Sequence, residues 1–247
     1  MDLACAEENS PLYITKIENQ WLKGWLSLAG IEIGDPVWKL SNIGDGGPVW
    51  VEGQWGHVVV GVQYSSELLV EKPSGEVCTL DLLPEGVESK VNHYKNRNSY
   101  EMFREASNLK RGTTLHVKRK FKRLNFHVII ADEIVHISDE IAFNIWGKTV
   151  ETGETWVQLG AIYVGQQFFP CYCSRDGVAR DFFEQLKPES NPHITIKEIV
   201  SNGKDEDDIS PCLIKSESGN IITLETVSAA KIKVRPCDIC WSCGVCK

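Results

Sequence analysis

His57-Val58-Val59-Val60-Gly61-Val62-Gln63-Tyr64 is a run of β-branched residues with an aromatic end, set between Gly53-Gln54 and Ser65-Ser66. Side chains branched at Cβ suit a pleated, half-buried surface, while glycine, serine and asparagine supply turns. The same grammar extends to both sides. Val37-Trp38-Lys39-Leu40, Val49-Trp50-Val51-Glu52, Leu68-Leu69-Val70-Glu71 and Val77-Cys78-Thr79-Leu80-Asp81-Leu82 are short strand-like runs. Gly44-Asp45-Gly46-Gly47-Pro48 and Pro73-Ser74-Gly75 punctuate them. Short strands separated by turn chemistry in this way predict a small curled sheet.

Working outward, residues 1–30 predict one helix. Ser10-Pro11 opens it, Leu12, Ile14, Ile17, Trp21, Trp25, Leu26 and Leu28 lie mostly at helical spacings, and Gly30 stops it. Residues 88–109 are polar and predict a linker or short helix with Ser99 as its cap. Further strands are expected at 115–121, 126–130, 133–137, 141–146, 155–164, 193–200 and 221–227, with a short helix at 180–186 closed by Pro188. The acidic loop at 203–208 lacks the alternating ligands of a calcium loop. No internal repeat stands out. The expected fold is therefore mainly β (β-rich α+β). It comprises an N-terminal helix at 1–30, a small SH3-like, five-stranded barrel at 31–87, the linker at 88–109, a second antiparallel β domain at 110–235 and a cysteine-rich tail at 236–247. Trp38, Trp50 and Trp55 are expected to face the core of the barrel.

Composition narrows the function classes. The 247 residues are 42% hydrophobic and 24% charged, which is ordinary for a folded domain and unlike a disordered chain. A net charge of −8 argues against indiscriminate coating of nucleic acid. Met1 to Glu8 holds no basic leader followed by an apolar run, and no stretch reaches the ~20 apolar residues of a membrane span. The expectation is a cytoplasmic protein with reduced thiols.

The strongest chemical signal is the tail: Cys237, Cys240, Cys243 and Cys246 recur every three residues. Thiolates select zinc, copper(I) or iron–sulfur clusters. On a helix, positions three apart drift by about 60° at each step, so the four sulfurs would not converge. An irregular loop is required. The C-x2-C-x2-C triad suits three corners of a cubane, with a further ligand from Cys171, Cys173 or Cys212. Zinc or an iron–sulfur cluster is the expected cofactor. Disulfides, or a tail acylated at cysteine, are the competing readings. Lone Cys78 lies in an apolar run and is expected to be a small buried hydrophobe.

Two weaker signals follow. Lys118, Arg119, Lys120, Lys122 and Arg123 fall in a segment without acids, and in a strand the three lysines share a face with His116. Such a row tracks a phosphate backbone or an anionic membrane surface; the plain alternative is an edge strand protected by charge. Asp132, His136 and Glu140 also share a face by alternation, which allows an acid/base reading. Phosphate-binding glycine loops, H-E-x-x-H and G-x-S-x-G are absent from the sequence. The sequence thus favours a non-enzymatic binding protein with a cysteine metal site and a nucleic acid or other polyanion as partner. A membrane-acting β protein and an enzyme using His136 are the alternatives.

Overall fold

The computed structural model describes residues 1–40, 47–95, 97–153, 155–187, 192–201, 212–224 and 226–236. The chain is β-rich. Its elements run β1 (Pro11–Ile17), α1 (Gln20–Leu28), β2 (Pro36–Leu40), β3 (Val49–Gly53), β4 (Gly56–Val60), α2 (Val62–Glu67), β5 (Leu68–Glu71), β6 (Val77–Thr79), β7 (Glu88–Tyr94), α3 (Arg97–Ser107) and β8 (Thr114–Lys120). They continue with β9 (Leu124–Ile130), β10 (Glu133–Ser138), α4 (Asp139–Ala142), β11 (Ile145–Thr149), β12 (Val157–Gln158), β13 (Gln167–Cys173), α5 (Val178–Gln185), β14 (Ile194–Ser201), β15 (Cys212–Ser216), β16 (Ile221–Leu224), α6 (Thr226–Ala229) and β17 (Ile232–Pro236).

The strand order shows that one plan is used three times. A central module is ordered β4-β3-β8-β7-β5-β6, and a distal module β10-β9-β14-β13-β11-β12. In each, a hairpin leads to a short helix, two strands, a single 3₁₀ turn, a strand, a longer helix and a closing strand that returns beside the hairpin. A terminal module repeats the order as β16-β15-β2-β1-β17. Its hairpin, short helix and β17 come from the C-terminal part of the chain, and its 3₁₀ turn, β1, α1 and β2 from the N-terminal part. Asp2, bridged to Lys233, stands where the other modules have β6 and β12. Each module has its own apolar core, centred for example on Trp25 and Ile214, on Phe103 and Val117, and on Phe126 and Phe168.

Local chemistry repeats along with the topology. The 3₁₀ turns Leu3–Cys5, Leu80–Leu82 and Leu159–Ala161 each open on a fully buried leucine. Six residues on, Asn9, Gly86 and Gly165 have positive φ, a region that glycine and asparagine tolerate best. Their amides donate to Lys39 O, Val117 O and Ile196 O at 2.6, 2.8 and 2.8 Å. A bulge then falls at Thr15, Asn92 and Cys171, where the register of β1, β7 and β13 slips against β17, β5 and β11. The next amides past each strand, Glu18, Lys95 and Ser174, donate to Lys231 O, Glu67 O and Asn144 O.

Neighbouring modules join through the second hairpin strand of one and the start of the 3₁₀ turn of the next. Between terminal and central modules, β16 and β6 pair in parallel, and Thr79 Oγ1 accepts from Thr223 N at 3.1 Å. Between central and distal modules the side chain of Gln158 replaces a strand. It accepts from Val59 N at 2.9 Å and donates to Val59 O and Phe143 O, both at 2.7 Å.

Several expectations change. No closed barrel forms among the described residues. β2 pairs with β1 and β15 rather than with the strands that follow it. The predicted helix occupies only Gln20–Leu28, and Pro11–Ile17 is a strand. The bulge at Thr15 explains the misreading. Leu12, Ile14 and Ile17 all face inward, and one inserted residue turns a period of two into an apparently helical spacing. Glu88–Tyr94, expected to be linker, is β7 inside a sheet, and Cys171-Tyr172-Cys173 lies in strand β13. The tail at 237–247 and the acidic loop at 203–208 lie outside the described residues.

Candidate functional site

A cleft of about 590 Å³ opens where the terminal module leans on the central one, with α1 over the end of β7 and beside α3. Asn19 starts α1 by accepting from the amides of Trp21 and Leu22, at 2.9 and 3.2 Å. Trp21 and Trp25 are four residues apart and so stack along one helix face. Trp25 is 2% exposed and forms the deep wall, whereas Trp21 is 74% exposed at the rim. Across from them the bulge at Asn92 turns Asn92 and His93 toward the cleft wall, next to Tyr94. Glu101 and Arg104 come from α3, and Arg111 from the turn that leads into β8.

The electrostatics contrast with the rest of the chain. Among the described lining residues, Lys95, Arg104 and Arg111 stand against one acid, Glu101, in a protein of net charge −8. Lys95 Nζ lies 5.8 Å from the centroid of Trp25 and donates to Ser228 Oγ at 2.9 Å, tying the two modules together. Burial, and then the charge of Arg111, hold the His93 imidazole below its ordinary pKa. A histidine kept neutral beside cations gains most when an anion arrives. The arrangement suits a ligand with a flat apolar body and a negative group.

The second junction uses the same elements differently. There α3 of the central module meets β13 of the distal one, and Tyr172 occupies the place that His93 has in the first. Its hydroxyl donates to Met102 O at 3.2 Å, and its ring stacks on Trp156 with centroids 5.7 Å apart. A tyrosine fills this junction from within.

The sites expected from sequence are dispersed. Cys171 is exposed on its bulge, while Cys173 is fully buried and its thiol donates to Arg175 O. Burial raises the Cys173 pKa, and pushes the thiols of Cys78 and Cys212 up to about 11. These three are packed as small apolar groups rather than held as thiolates. Cys171 and Cys173 belong to the distal module, whereas β17, which precedes the tail, belongs to the terminal module, in which Cys5 is exposed and Cys212 buried among the described residues. Among the described residues no group of three or more histidine, cysteine or acidic side chains is placed to hold a metal.

The basic strand β8 is not an edge, since it lies between β7 and β3. Lys118 pairs with Glu52 at 2.5 Å, Lys120 donates to Asp81 O, and Arg119 lies 5.4 Å from the ring of Phe121. Arg123 faces the buried Asp139 at 3.6 Å, and Lys122 is exposed. Asp132 sits at positive φ in the β9–β10 turn and Glu140 in α4, so neither is a partner of His136 in the structure's contacts. His136 instead faces His127 across the hairpin with ring centroids 4.1 Å apart, and Glu198 lies 3.2 Å from His127 Nδ1. Sequence reading missed the cleft because its residues come from three separated segments in two modules.

Comparison with family models, curated proteins and solved structures finds no match for this chain. Its class rests on its own features: among the described residues, a β-rich chain of three modules with a cleft between the terminal and central ones. No described helix is long and apolar enough to cross a membrane.

Proposed function

We propose that this chain is a non-enzymatic binding protein whose ligand is an aromatic anion held between the terminal and central modules. The observation that carries the reading is the cleft itself, in which two tryptophans face three cations. Its volume falls within the range of ordinary ligand pockets, roughly 300–1,000 Å³. An indole face binds a flat ring by stacking, and arginines hold a phosphate, sulfonate or carboxylate through paired N–H groups.

8-Anilinonaphthalene-1-sulfonate is a suitable probe. The folded protein should bind it at one site per chain, with enhanced dye fluorescence, and His93→Tyr should remove that site while leaving the melting temperature within a few degrees. Binding unchanged in a folded His93→Tyr variant would refute the reading.

The cysteine run is a separate proposal that rests on spacing alone. Zinc or an iron–sulfur cluster bound by Cys237, Cys240, Cys243 and Cys246 is tested by elemental analysis of anaerobically purified protein. Full-length protein with metal and a Cys243→Ser variant without it would support the site.

A further inference from the structure

We infer that the ligand of this cleft is a nucleotide, an inference that rests on the aromatic-anion reading above. Four chemistries converge there. Trp21 offers an open ring face at the rim, with Trp25 below it. Arg104 and Arg111, with Lys95 deeper, supply positive charge for a phosphate. Gln20 on α1 and Asn92 on the bulge of β7 contribute side-chain amides. Glu101 contributes a carboxylate.

Each has a counterpart in one molecule. A nucleobase stacks on tryptophan, and this contact tolerates any base. Primary amides present a donor and an acceptor side by side and match the edge of a base such as adenine. A carboxylate accepts from sugar hydroxyls, as acidic residues do in dinucleotide folds. Arginine and lysine take the phosphate. An inorganic anion uses only the cations, and a plain aromatic acid uses only cations and indole. A nucleotide uses all four. Its source is either the free mononucleotide or the terminal nucleotide of a single strand, since the recognising groups are the same.

The experiment is a competition followed by direct titration. Adenosine 5′-monophosphate should displace the anilinonaphthalene dye and quench tryptophan fluorescence. By calorimetry it should bind at least about tenfold more tightly than adenosine, inorganic phosphate or phenyl phosphate. Trp21 is exposed, so Trp21→Ala should fold normally and weaken nucleotide binding by about tenfold, with phosphate binding unaffected. Glu101→Gln should narrow the gap between the ribose and 2′,3′-dideoxyribose monophosphates. A 5′-phosphorylated oligoadenylate that binds more tightly than the monophosphate assigns the source to a strand end, and equal or weaker binding assigns it to the free nucleotide. Phenyl phosphate matching the nucleotide overturns the nucleotide assignment. So does a dye that binds but is not displaced, and both outcomes leave the aromatic-anion reading standing. Failure of the dye itself to bind removes both.

Discussion

The two junctions between modules are built from the same elements and end in opposite states. At the first, His93 leaves space beneath α1. At the second, Tyr172 occupies the equivalent place, donating to Met102 O on α3 and stacking on Trp156. Equivalent register positions thus carry a cleft-lining histidine in one junction and a tyrosine packed into the seam in the other. The backbone connections differ as well. The first junction is a parallel strand pair supported by Thr79, whereas the second depends on the amide of Gln158, which reaches both polar groups of Val59. Other side chains cross the second junction too, Tyr64 donating to Ser174 O and Arg175 facing Glu67, but a strand-like link made by one side chain is more vulnerable to substitution than one made by backbone. Repeat proteins allow this freedom because each module is stabilised by its own core and its immediate neighbours.

The largest effect is expected at Gln158. Gln158→Ala strands Val59 N, Val59 O and Phe143 O in a buried seam, and should cost about 3 kcal/mol in urea unfolding. A loss under about 1 kcal/mol, on the same scale of buried hydrogen bonds, would show that the second junction does not depend on this amide. Next, Tyr172→His grafts the first junction onto the second. Losing the ring stack and the bond to Met102 should cost about 2 kcal/mol and open a new dye site, seen as a second binding equivalent. Thr79→Val removes the side-chain support of the parallel pair, and should cost about 1 kcal/mol because the backbone pairing stays.

The smallest effect is one of pH. His93 titrates below its ordinary pKa in the free protein, so it is mostly neutral at pH 7. A bound anion favours the imidazolium, so binding takes up protons and affinity should rise as pH falls. Between pH 7 and 5.5 the gain for the dye should be about threefold. His93→Gln should flatten that profile without abolishing binding, and a wild-type profile that is flat or falls with acid would exclude His93 from the cleft's chemistry.

The strands were legible because β-branched runs and turn residues are local signals. Val49–Gly53, Leu68–Glu71 and Ile194–Ser201 lie close to where the pattern puts them. The repeat was not legible. Over residues 2–17, 79–94 and 158–173 the three modules share only Leu3, Leu80 and Leu159 at equivalent places. What recurs is backbone conformation at Asn9, Gly86 and Gly165, together with burial and bulge position, and many residue types satisfy each. The bulges also disguised strand periodicity, as at Thr15. The cleft was hidden for a different reason. Trp21, His93 and Arg111 are far apart in sequence, and only the packing of one module on another brings them together.

The sequence by itself determined that the chain is β-rich and folded, where most of its strands fall, and that it carries an unusual cysteine run. Those properties follow from composition, Cβ branching and spacing, which act within a few residues. Only the tertiary structure decided that β1 and β2 join β15, β16 and β17 in one module, that β8 is an interior strand, and that Trp21, Trp25, Lys95, Arg104 and Arg111 share a cleft. Pairing and packing between distant segments depend on which surfaces remain to be buried after each module has formed its core, and no local pattern records that outcome.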